Sequence, residues 1–286
     1  MKNLLKYNLV AVFALLAFSA CKKEYESIEQ IDERKIQEYV KANNLNLTKA
    51  ESGIYYNILS EGTGEIPKNS EKVFFTYTAK SIDGTVYYDN SSFAGYSDFL
   101  GYVKPDGWRY ALSLLKRGGK VKVVFPSSLG FGRNGQSPYK GNDVIDSELE
   151  LLNVDNQTEM DELLITRFIQ KNNLSMQRDS SGVYYQIITP GTGDSIPKPS
   201  SVIKVAYTGK FLNGKTFDSA TSAKPLESPL SVLVPGWVKT IPLIRKGGKI
   251  RILIPSALGY GSYGNPTIPP NTILDFTIDL ISFTNP

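Results

Sequence analysis

The chain alternates hydrophobic and polar residues over several short stretches, which is the period of a half-buried β-strand. The clearest stretch, residues 249–254, places Ile250, Ile252 and Ile254 on one face. Three more stretches are rich in aromatic and β-branched residues and predict strands: residues 183–188, 201–209 and 273–282. An Asn-Gly pair within residues 210–219 predicts a hairpin turn. The second half of the chain is therefore predicted to be rich in antiparallel strands.

Two other stretches repeat hydrophobic residues at helical spacing. Met160, Leu164 and Phe168 recur at every fourth position in residues 159–173. Residues 32–44 show a similar pattern, and both stretches end in Asn-Asn-Leu, where asparagine favours the end of a helix. A shorter helix is predicted in residues 236–245. We expect the two long helices to pack on their own domain or on the other copy, with dimerisation as the alternative.

The whole pattern occurs twice. The segment GIYY at residues 53–56 returns as GVYY at residues 182–185, and Gly107-Trp108 returns as Gly236-Trp237, each 129 positions later. A repeat of this length is a duplicated domain, because solenoid units are only about 20–50 residues long. Each copy combines strands with a short helix that covers the apolar face of the sheet, which predicts the α+β class.

The first 20 residues have the pattern of an export signal. A basic start precedes an apolar run at residues 9–18 that is too short to cross a bilayer comfortably. Residues 16–21 read LAFSAC and resemble a bacterial lipobox, which makes Cys21 the predicted lipidation residue and predicts a lipid-anchored protein of the cell envelope, on the outer membrane or facing the periplasm. An ordinary secretory signal with an incidental cysteine is the alternative. The predicted organisation is a signal peptide (1–20), a tether (21–30), a first domain (31–154) and a second domain (155–286).

The amino-acid composition excludes several kinds of functional site. The chain has no histidine, which excludes histidine-dependent triads and most zinc sites. Its single cysteine is Cys21, so no disulfide is predicted. The net charge of +4 comes with no basic stripe, and nucleic acid is therefore not an expected partner. Neither a metal nor a cofactor is expected.

Several motifs of the second copy occur in the order found in one known family. They are VAYTG at 205–209, NGKTFDS at 213–219, VPGW at 234–237, GGK at 247–249, LGYG at 258–261 and IPPN at 268–271. On these motifs, residues 182–283 resemble an FKBP domain, the immunophilin class of peptidyl-prolyl cis-trans isomerases. The resemblance implies a five-stranded antiparallel half-barrel wrapped around a short helix, and two such domains in the chain.

The reaction implied by the resemblance is rotation of an X-Pro amide across a barrier of roughly 18–20 kcal/mol. A dry aromatic pocket disfavours the charge-separated planar amide relative to the twisted one, and no nucleophile or metal is needed. On this resemblance, Trp237 would form the pocket floor, and Tyr207, Phe217 and Phe276 would form three aromatic walls. Leu233 and Val234 would present an aliphatic surface with a backbone donor near Val234. Asp218 would lie at the polar rim, Tyr260 would donate its hydroxyl, and Ile268 would cap the pocket.

Each of these residues has an ordinary structural interpretation as well. Aromatic residues on strands usually fill a core, and a single turn carboxylate such as Asp218 is usually solvated. Their occurrence together favours the pocket. Two departures from the family pattern, Asn265 where many relatives carry histidine and Leu226 in place of an aromatic wall, bear on substrate preference and on macrolide binding.

The first copy keeps fewer of these residues. Tyr77 and Trp108 match Tyr207 and Trp237, whereas Ser147 stands in place of Phe276. Tyr88 and Asp89 match Phe217 and Asp218 only if the first copy has an extra residue after Asp83-Gly84. The other replacements are Phe131 for Tyr260, Lys104 and Pro105 for Leu233 and Val234, and Tyr139-Lys140-Gly141 for Ile268-Pro269-Pro270. This pattern predicts a copy that has kept its fold and lost its pocket.

The resemblance therefore implies a prolyl isomerase that assists the folding of exported proteins, with catalysis in the second domain. Its partners would be proline-containing unfolded polypeptides, the membrane through the lipid anchor, and macrolide inhibitors. The two-domain layout resembles FKBP-type lipoproteins of Bacteroidetes-like bacteria. The alternatives are a non-catalytic binding or chaperone module of an envelope assembly, and a purely structural lipoprotein.

Overall fold

The computed structural model describes residues 25–90 and 93–286. The predicted signal peptide at residues 1–20 and the predicted lipidation residue Cys21 lie outside the described residues. Within the described ranges, no helix is both long enough and apolar enough to span a bilayer.

The first copy consists of a leading helix, seven strands and a short helix. The leading helix, α1, covers Ile28–Ala42 and so begins inside the segment predicted as a tether. The other elements are β1 (Thr48–Lys49), β2 (Tyr55–Ser60), β3 (Lys72–Ser81), β4 (Val86–Tyr88), β5 (Tyr96–Phe99), α2 (Asp106–Leu112), β6 (Lys120–Phe125) and β7 (Ile145–Leu151).

The second copy repeats this order. It consists of α3 (Gln157–Lys171), β8 (Gln177–Arg178), β9 (Tyr184–Thr189), β10 (Val202–Lys210), β11 (Thr216–Ala220), β12 (Leu226–Pro229), α4 (Pro235–Thr240), β13 (Lys249–Ile254) and β14 (Leu274–Thr284). The bounds differ from the predicted strands by one or two residues. The short strands β8 and β12 were not predicted, because two- and four-residue segments carry almost no periodic signal.

The strands of each copy form one antiparallel sheet. The order in the second copy is β11-β10-β14-β13-β9-β8, with β12 beside β10, and the first copy has the equivalent order β4-β3-β7-β6-β2-β1, with β5 beside β3. Two such sheets, each with few helices, confirm the predicted α+β class with two related domains. In the second sheet the central strand β14 pairs with both β10 and β13.

Strand β13 is buried on both faces. Ile250, Ile252 and Ile254 are fully buried in the cluster around the short helix α4, as the alternation predicted. Leu253 on the opposite face is also fully buried, in a second cluster formed with α3. The leading helix therefore covers the outer face of its own sheet, while α4 covers the inner face.

The same hydrogen bonds attach each leading helix to its own sheet. Asp32 of α1 accepts hydrogen bonds from the backbone N–H and the hydroxyl of Ser127, at 2.9 and 2.6 Å. Asp161 of α3 accepts the equivalent bonds from Ser256, at 2.7 and 2.6 Å. Because both carboxylates are almost completely buried, these bonds fix the position of each helix on the sheet.

Helix α3 also joins the two copies. Its apolar side chains share a buried cluster with Phe74 and Leu152 of the first copy. Phe168 of α3 packs edge-to-face against Phe93, with 5.4 Å between ring centroids. The helix thus packs on its own domain and on the other copy.

Candidate active site in the second copy

Four aromatic residues from four different elements meet at the inner face of the second sheet. The indole of Trp237, on α4, contacts the rings of Tyr207 on β10 and Phe276 on β14 at centroid distances of 5.1 and 5.2 Å, both edge-to-face. Phe217 of β11 meets Phe276 at 5.4 Å, also edge-to-face. The structure therefore brings together the floor and the three walls that the sequence predicted.

Two glycines allow these rings to approach one another. A Cβ atom on Gly209 would stand 2.6 Å from Phe276 and 2.7 Å from Phe217. A Cβ atom on Gly236, next to Trp237, would stand 2.6 Å from Ile254. A larger residue at either position would push the ring frame or the short helix away from the sheet.

A carboxylate and two phenol groups form the polar rim. The Tyr207 hydroxyl donates to Asp218 Oδ2 at 2.6 Å, and Asp218 Oδ1 accepts from the backbone N–H of Ser219 at 2.8 Å. Burial, followed by this hydrogen bond, raises the pKa of Tyr207 well above its usual range. Burial and the Asp218 charge also raise the pKa of Tyr260. Both hydroxyls therefore keep their protons at neutral pH and remain hydrogen-bond donors.

The loop before β14 carries the predicted cap. Ile268 is buried against the aromatic cluster. Its backbone N–H donates to Asn265 Oδ1 at 2.7 Å, and the same oxygen accepts from the backbone N–H of Thr267 at 2.9 Å. Asn265 thus holds the turn that places Ile268. Sequence reasoning noted Asn265 only as a departure from the family, although an asparagine two or three residues before an apolar loop position is a typical signal of such a turn.

The aliphatic residues of the predicted site pack beside the aromatic cluster. Leu233 and Val234, just before α4, are partly buried against the core cluster. Leu226 of β12 joins the same cluster in the place of the expected aromatic wall. Phe211 was not among the predicted site residues, yet its ring lies 5.1 Å from that of Phe217. Phe211 belongs to the β10–β11 hairpin. The Asn-Gly pair predicted the turn of this hairpin but not its side-chain contacts.

Two donors at the site have no acceptor. The buried indole Nε1 of Trp237 has no hydrogen-bond partner among the described residues. Within the same part of the chain, no group accepts from the backbone N–H of Val234. A buried donor without a partner costs about 1–3 kcal/mol, so such donors are uncommon outside sites that receive a ligand or water.

The indole itself is almost closed off from solvent. Trp237 is 3 % exposed, and Trp108, its equivalent in the first copy, is 5 % exposed. Exposure therefore does not distinguish the two copies.

In the first copy, the indole N–H of the equivalent tryptophan has a hydrogen-bond acceptor within the same domain. Trp108 Nε1 donates to Ser147 Oγ at 2.9 Å, and Ser147 occupies the position of Phe276. Ala79 pairs with Ser147 across the sheet just as Gly209 pairs with Phe276. A small polar residue and a Cβ atom thus replace the phenyl wall together.

Aromatic side chains of the first copy also pack closely around its tryptophan and in the loop before its last strand. Tyr77 contacts Trp108 at a centroid distance of 4.1 Å and Tyr96 at 4.7 Å. Tyr139 stacks on Phe131 at 3.6 Å, in the loop that corresponds to the cap of the second copy. Pro105 stands in the place of Val234 and has no backbone N–H to donate. The side chains that the sequence assigns to a prolyl site are therefore retained in the second copy, and several of them are replaced in the first.

Comparison with known proteins identifies the family. The model of the FKBP-type peptidyl-prolyl cis-trans isomerase family matches residues 63–152 and residues 193–281. Both copies are therefore FKBP domains, and the chain belongs to the FKBP-type peptidyl-prolyl cis-trans isomerase family.

Curated relatives match about one copy of the repeat. The chain is similar to the FKBP-type peptidyl-prolyl cis-trans isomerase FkpA of Escherichia coli K12, with 40 % identity over 107 residues, 37 % of this chain and 39 % of that protein. A probable FKBP-type peptidyl-prolyl cis-trans isomerase of Haemophilus influenzae is 43 % identical over 103 residues, 35 % of this chain and 42 % of the relative. The chain thus spans less than half the length of either relative.

Solved structures give similar partial matches. The crystal structure of Escherichia coli FkpA matches with 35 % identity and a TM-score of 0.41, covering 44 % of this chain and 61 % of that one. A peptidyl-prolyl cis-trans isomerase of Pseudomonas syringae pv. tomato matches with 29 % identity and a TM-score of 0.40, covering 46 % of this chain and 100 % of that one.

Proposed function

We propose that the protein is a peptidyl-prolyl cis-trans isomerase whose catalytic pocket lies in the second copy. One observation carries the proposal: the buried indole N–H of Trp237 has no acceptor among the described residues, inside a frame formed by Tyr207, Phe217 and Phe276. The equivalent indole in the first copy has an acceptor in Ser147. A group supplied by the substrate would satisfy the Trp237 indole, whereas the Trp108 indole does not need one.

The residues around the site account for the reaction in physical terms. The aromatic frame holds the prolyl ring in a dry environment, where the twisted amide is favoured relative to the charge-separated planar amide. The free backbone N–H of Val234 and the protonated hydroxyl of Tyr260 donate to substrate carbonyl groups. Asp218, fixed by Tyr207, lies at the rim on the side of the rotating amide. Lowering the barrier by about 4 kcal/mol would accelerate the rotation roughly a thousandfold.

A non-catalytic binding module is the second candidate. The observation in its favour is the 3 % exposure of Trp237, which is as low as that of Trp108 in the first copy. A site that stays closed in this way could hold a proline-containing segment at its rim without turning the amide. In either case the first copy contributes a folded FKBP domain in which Ser147 replaces the phenyl wall, and this domain is suited to holding clients or to supporting the second copy.

The test is a prolyl-isomerisation assay on the full chain with a matched pair of variants. We expect Asp218→Ala to lower kcat/KM at least about tenfold, because the variant removes a charged acceptor worth about 1.5–3 kcal/mol. We expect Asp89→Ala, the equivalent change in the first copy, to leave the rate within twofold. Circular dichroism of each variant controls for folding.

Two results would contradict the proposal. A folded wild-type protein that gives only the uncatalysed rate would favour the binding module. Equal losses of rate in Asp218→Ala and Asp89→Ala would mean that the catalytic site has been placed wrongly.

We further propose that the chain is exported and lipid-anchored through Cys21, so that it acts on exported proline-containing polypeptides at the cell envelope. The support is the basic start, the short apolar run and the lipobox-like LAFSAC segment. Metabolic labelling with a radioactive fatty acid should label the wild-type protein, and Cys21→Ala should remove the label and release the protein from the membrane fraction. An unlabelled wild-type protein would leave an ordinary secretory signal as the interpretation.

A further inference from the structure

A cavity of about 540 Å³ lies between the two copies, next to the candidate pocket. Its walls come from the segment around β5 in the first copy, from helix α3, and from the β10–β11 hairpin and the loop before β14 in the second copy. The side chains that define it are Phe93, Tyr96, Leu164, Phe211, Pro269 and Ile273. The volume is within the range of about 300–1,000 Å³ that is typical of small-ligand sites.

The cavity shares two of its walls with the candidate prolyl pocket. Ile268 caps the pocket, and the next residue in the chain, Pro269, lines the cavity. The Phe211 ring lines the cavity and contacts the Phe217 ring, which in turn contacts Phe276 in the pocket wall. Each ring contact spans only 5.1–5.4 Å between centroids, so roughly three to five residues of extended chain would connect the two sites.

The far wall of the cavity is the remodelled site of the first copy. Tyr96 lines the cavity and packs on Tyr77, the residue that corresponds to Tyr207. Tyr88, which corresponds to Phe217, also lines the cavity. Aromatic side chains near Trp108 of the first copy therefore line the same cavity as the loops that bound the candidate pocket of the second copy.

The chemistry of the lining restricts the occupant. It consists mainly of aromatic, aliphatic and proline side chains, and among the described residues that line it only Lys215 is charged. An uncharged apolar side chain would bury its surface here, while the Lys215 ammonium would donate a hydrogen bond to a backbone carbonyl of the peptide. An acid-free apolar cavity that adjoins a proline pocket is suited to unfolded polypeptide, in which apolar residues are exposed close to prolines.

We propose that this cavity is an accessory site that binds an apolar side chain of the same polypeptide whose proline occupies the second-copy pocket. The inference rests on the proposed isomerase function and specifies its substrate: an unfolded chain with an aromatic or large aliphatic residue within a few positions of the proline. The first copy then contributes directly to substrate binding, although Ser147 replaces the phenyl wall of its own site.

The test measures isomerisation by the full chain of one reference peptide and of a series of related peptides. The reference is an alanine-rich peptide with a single proline. Each peptide of the series carries one phenylalanine, at one of positions two to six on either side of the proline. We expect phenylalanine at one favoured distance to raise kcat/KM about tenfold, mainly through KM, because it buries most of its apolar surface. In Ala94→Trp, whose new ring fills the cavity, the ratio of kcat/KM for the favoured phenylalanine peptide to kcat/KM for the alanine-rich peptide should fall to about one.

Ser97→Trp fills the same cavity from a neighbouring position and serves if Ala94→Trp does not fold, and Ala94→Ser is the matched control that should keep the wild-type ratio. The accessory site is overturned if phenylalanine gives no gain at any position, or if the gain is the same when the cavity is filled. If the alanine peptide itself is not accelerated, the proposed isomerase function fails instead. Fluorescence anisotropy of the two labelled peptides with wild type and Ala94→Trp then still decides whether the cavity binds phenylalanine.

Discussion

Replacing Phe276 by serine is expected to reduce kcat/KM for prolyl isomerisation about a hundredfold. The change removes the ring that contacts Trp237, Tyr207 and Phe217, so the frame loses one wall. Losing about 3 kcal/mol of the stabilisation that the wall gives to the bound twisted amide corresponds to about two powers of ten in rate. Serine also offers the Trp237 indole an acceptor, as Ser147 does for Trp108.

The measurement is the isomerisation rate of the full chain, normalised to the folded fraction from circular dichroism. Phe276→Leu keeps an apolar wall and should lose no more than about tenfold. Ser147→Phe, the reverse change in the first copy, should leave the rate unaffected, since that copy is not the catalytic one. A Phe276→Ser protein that is folded and retains more than a third of the wild-type rate would exclude the aromatic frame as the catalytic element.

Phe276 depends on its cross-strand neighbour. Gly209 pairs with it, and a Cβ atom there would overlap both Phe276 and Phe217. In the first copy the pair is Ala79 and Ser147. The glycine and the phenylalanine therefore form one unit of the pocket, and the alanine and the serine form the unit that replaces it.

The sequence predicted the elements of this site better than their contacts. The alternation of Ile250, Ile252 and Ile254 predicted the buried face of β13, because the strand period depends only on local residue order. The ordered motifs predicted which side chains surround Trp237. The repeat then allowed each departure in the first copy, such as Ser147, to be read against its counterpart.

Contacts that join distant parts of the chain could not be predicted in this way. The bond from Trp108 to Ser147 and the stacking of Tyr139 on Phe131 both depend on the packing of loops and strands. The cavity between the copies depends on how α3 orients one sheet against the other. Periodicity within a single segment contains no information on such contacts, and motifs inherited from single-domain relatives contain none on the junction.

Asp161 fixes the leading helix of the second copy. Replacing Asp161 by alanine is expected to lower the free energy of unfolding by about 3 kcal/mol. In Asp161→Ala, the buried N–H and hydroxyl of Ser256 lose their acceptor. Ser256 also begins the turn Ser256–Leu258, whose first carbonyl accepts from the backbone N–H of Gly261, just after Tyr260. The helix therefore supports the loop that carries a predicted site residue.

Urea unfolding of the full chain, followed by circular dichroism, measures the change. Asp32→Ala should cost a similar amount in the first copy, where Ser127 is the donor, but should leave the isomerisation rate of the folded protein unchanged. A loss below about 1 kcal/mol in both alanine variants would mean that the apolar faces of the helices hold them without these bonds.

Asp161 also predicts a pH dependence. Burial raises its pKa in the folded protein above the ordinary value of 3.8, against the opposing effect of its bonds to Ser256 and Gln157. The folded state therefore binds this proton more tightly than the unfolded chain does. The stability that the proton contributes is fully present below pH 3.8 and is lost as the pH rises through the folded pKa.

Asp161→Asn keeps an oxygen acceptor for Ser256 and a group that can bond to Gln157, but it does not titrate. Its free energy of unfolding should therefore lack the decrease that wild type shows on raising the pH from about 3.8. The difference between the two proteins, measured by urea unfolding from pH 3.5 to 7, cancels the titration of the other carboxylates. A difference that stays constant with pH, or that grows in favour of wild type as the pH rises, would show that burial does not control the pKa of Asp161. In the second of these cases the hydrogen bonds from Ser256 would be the dominant influence on this carboxylate, and the helix attachment would be strongest in its charged form.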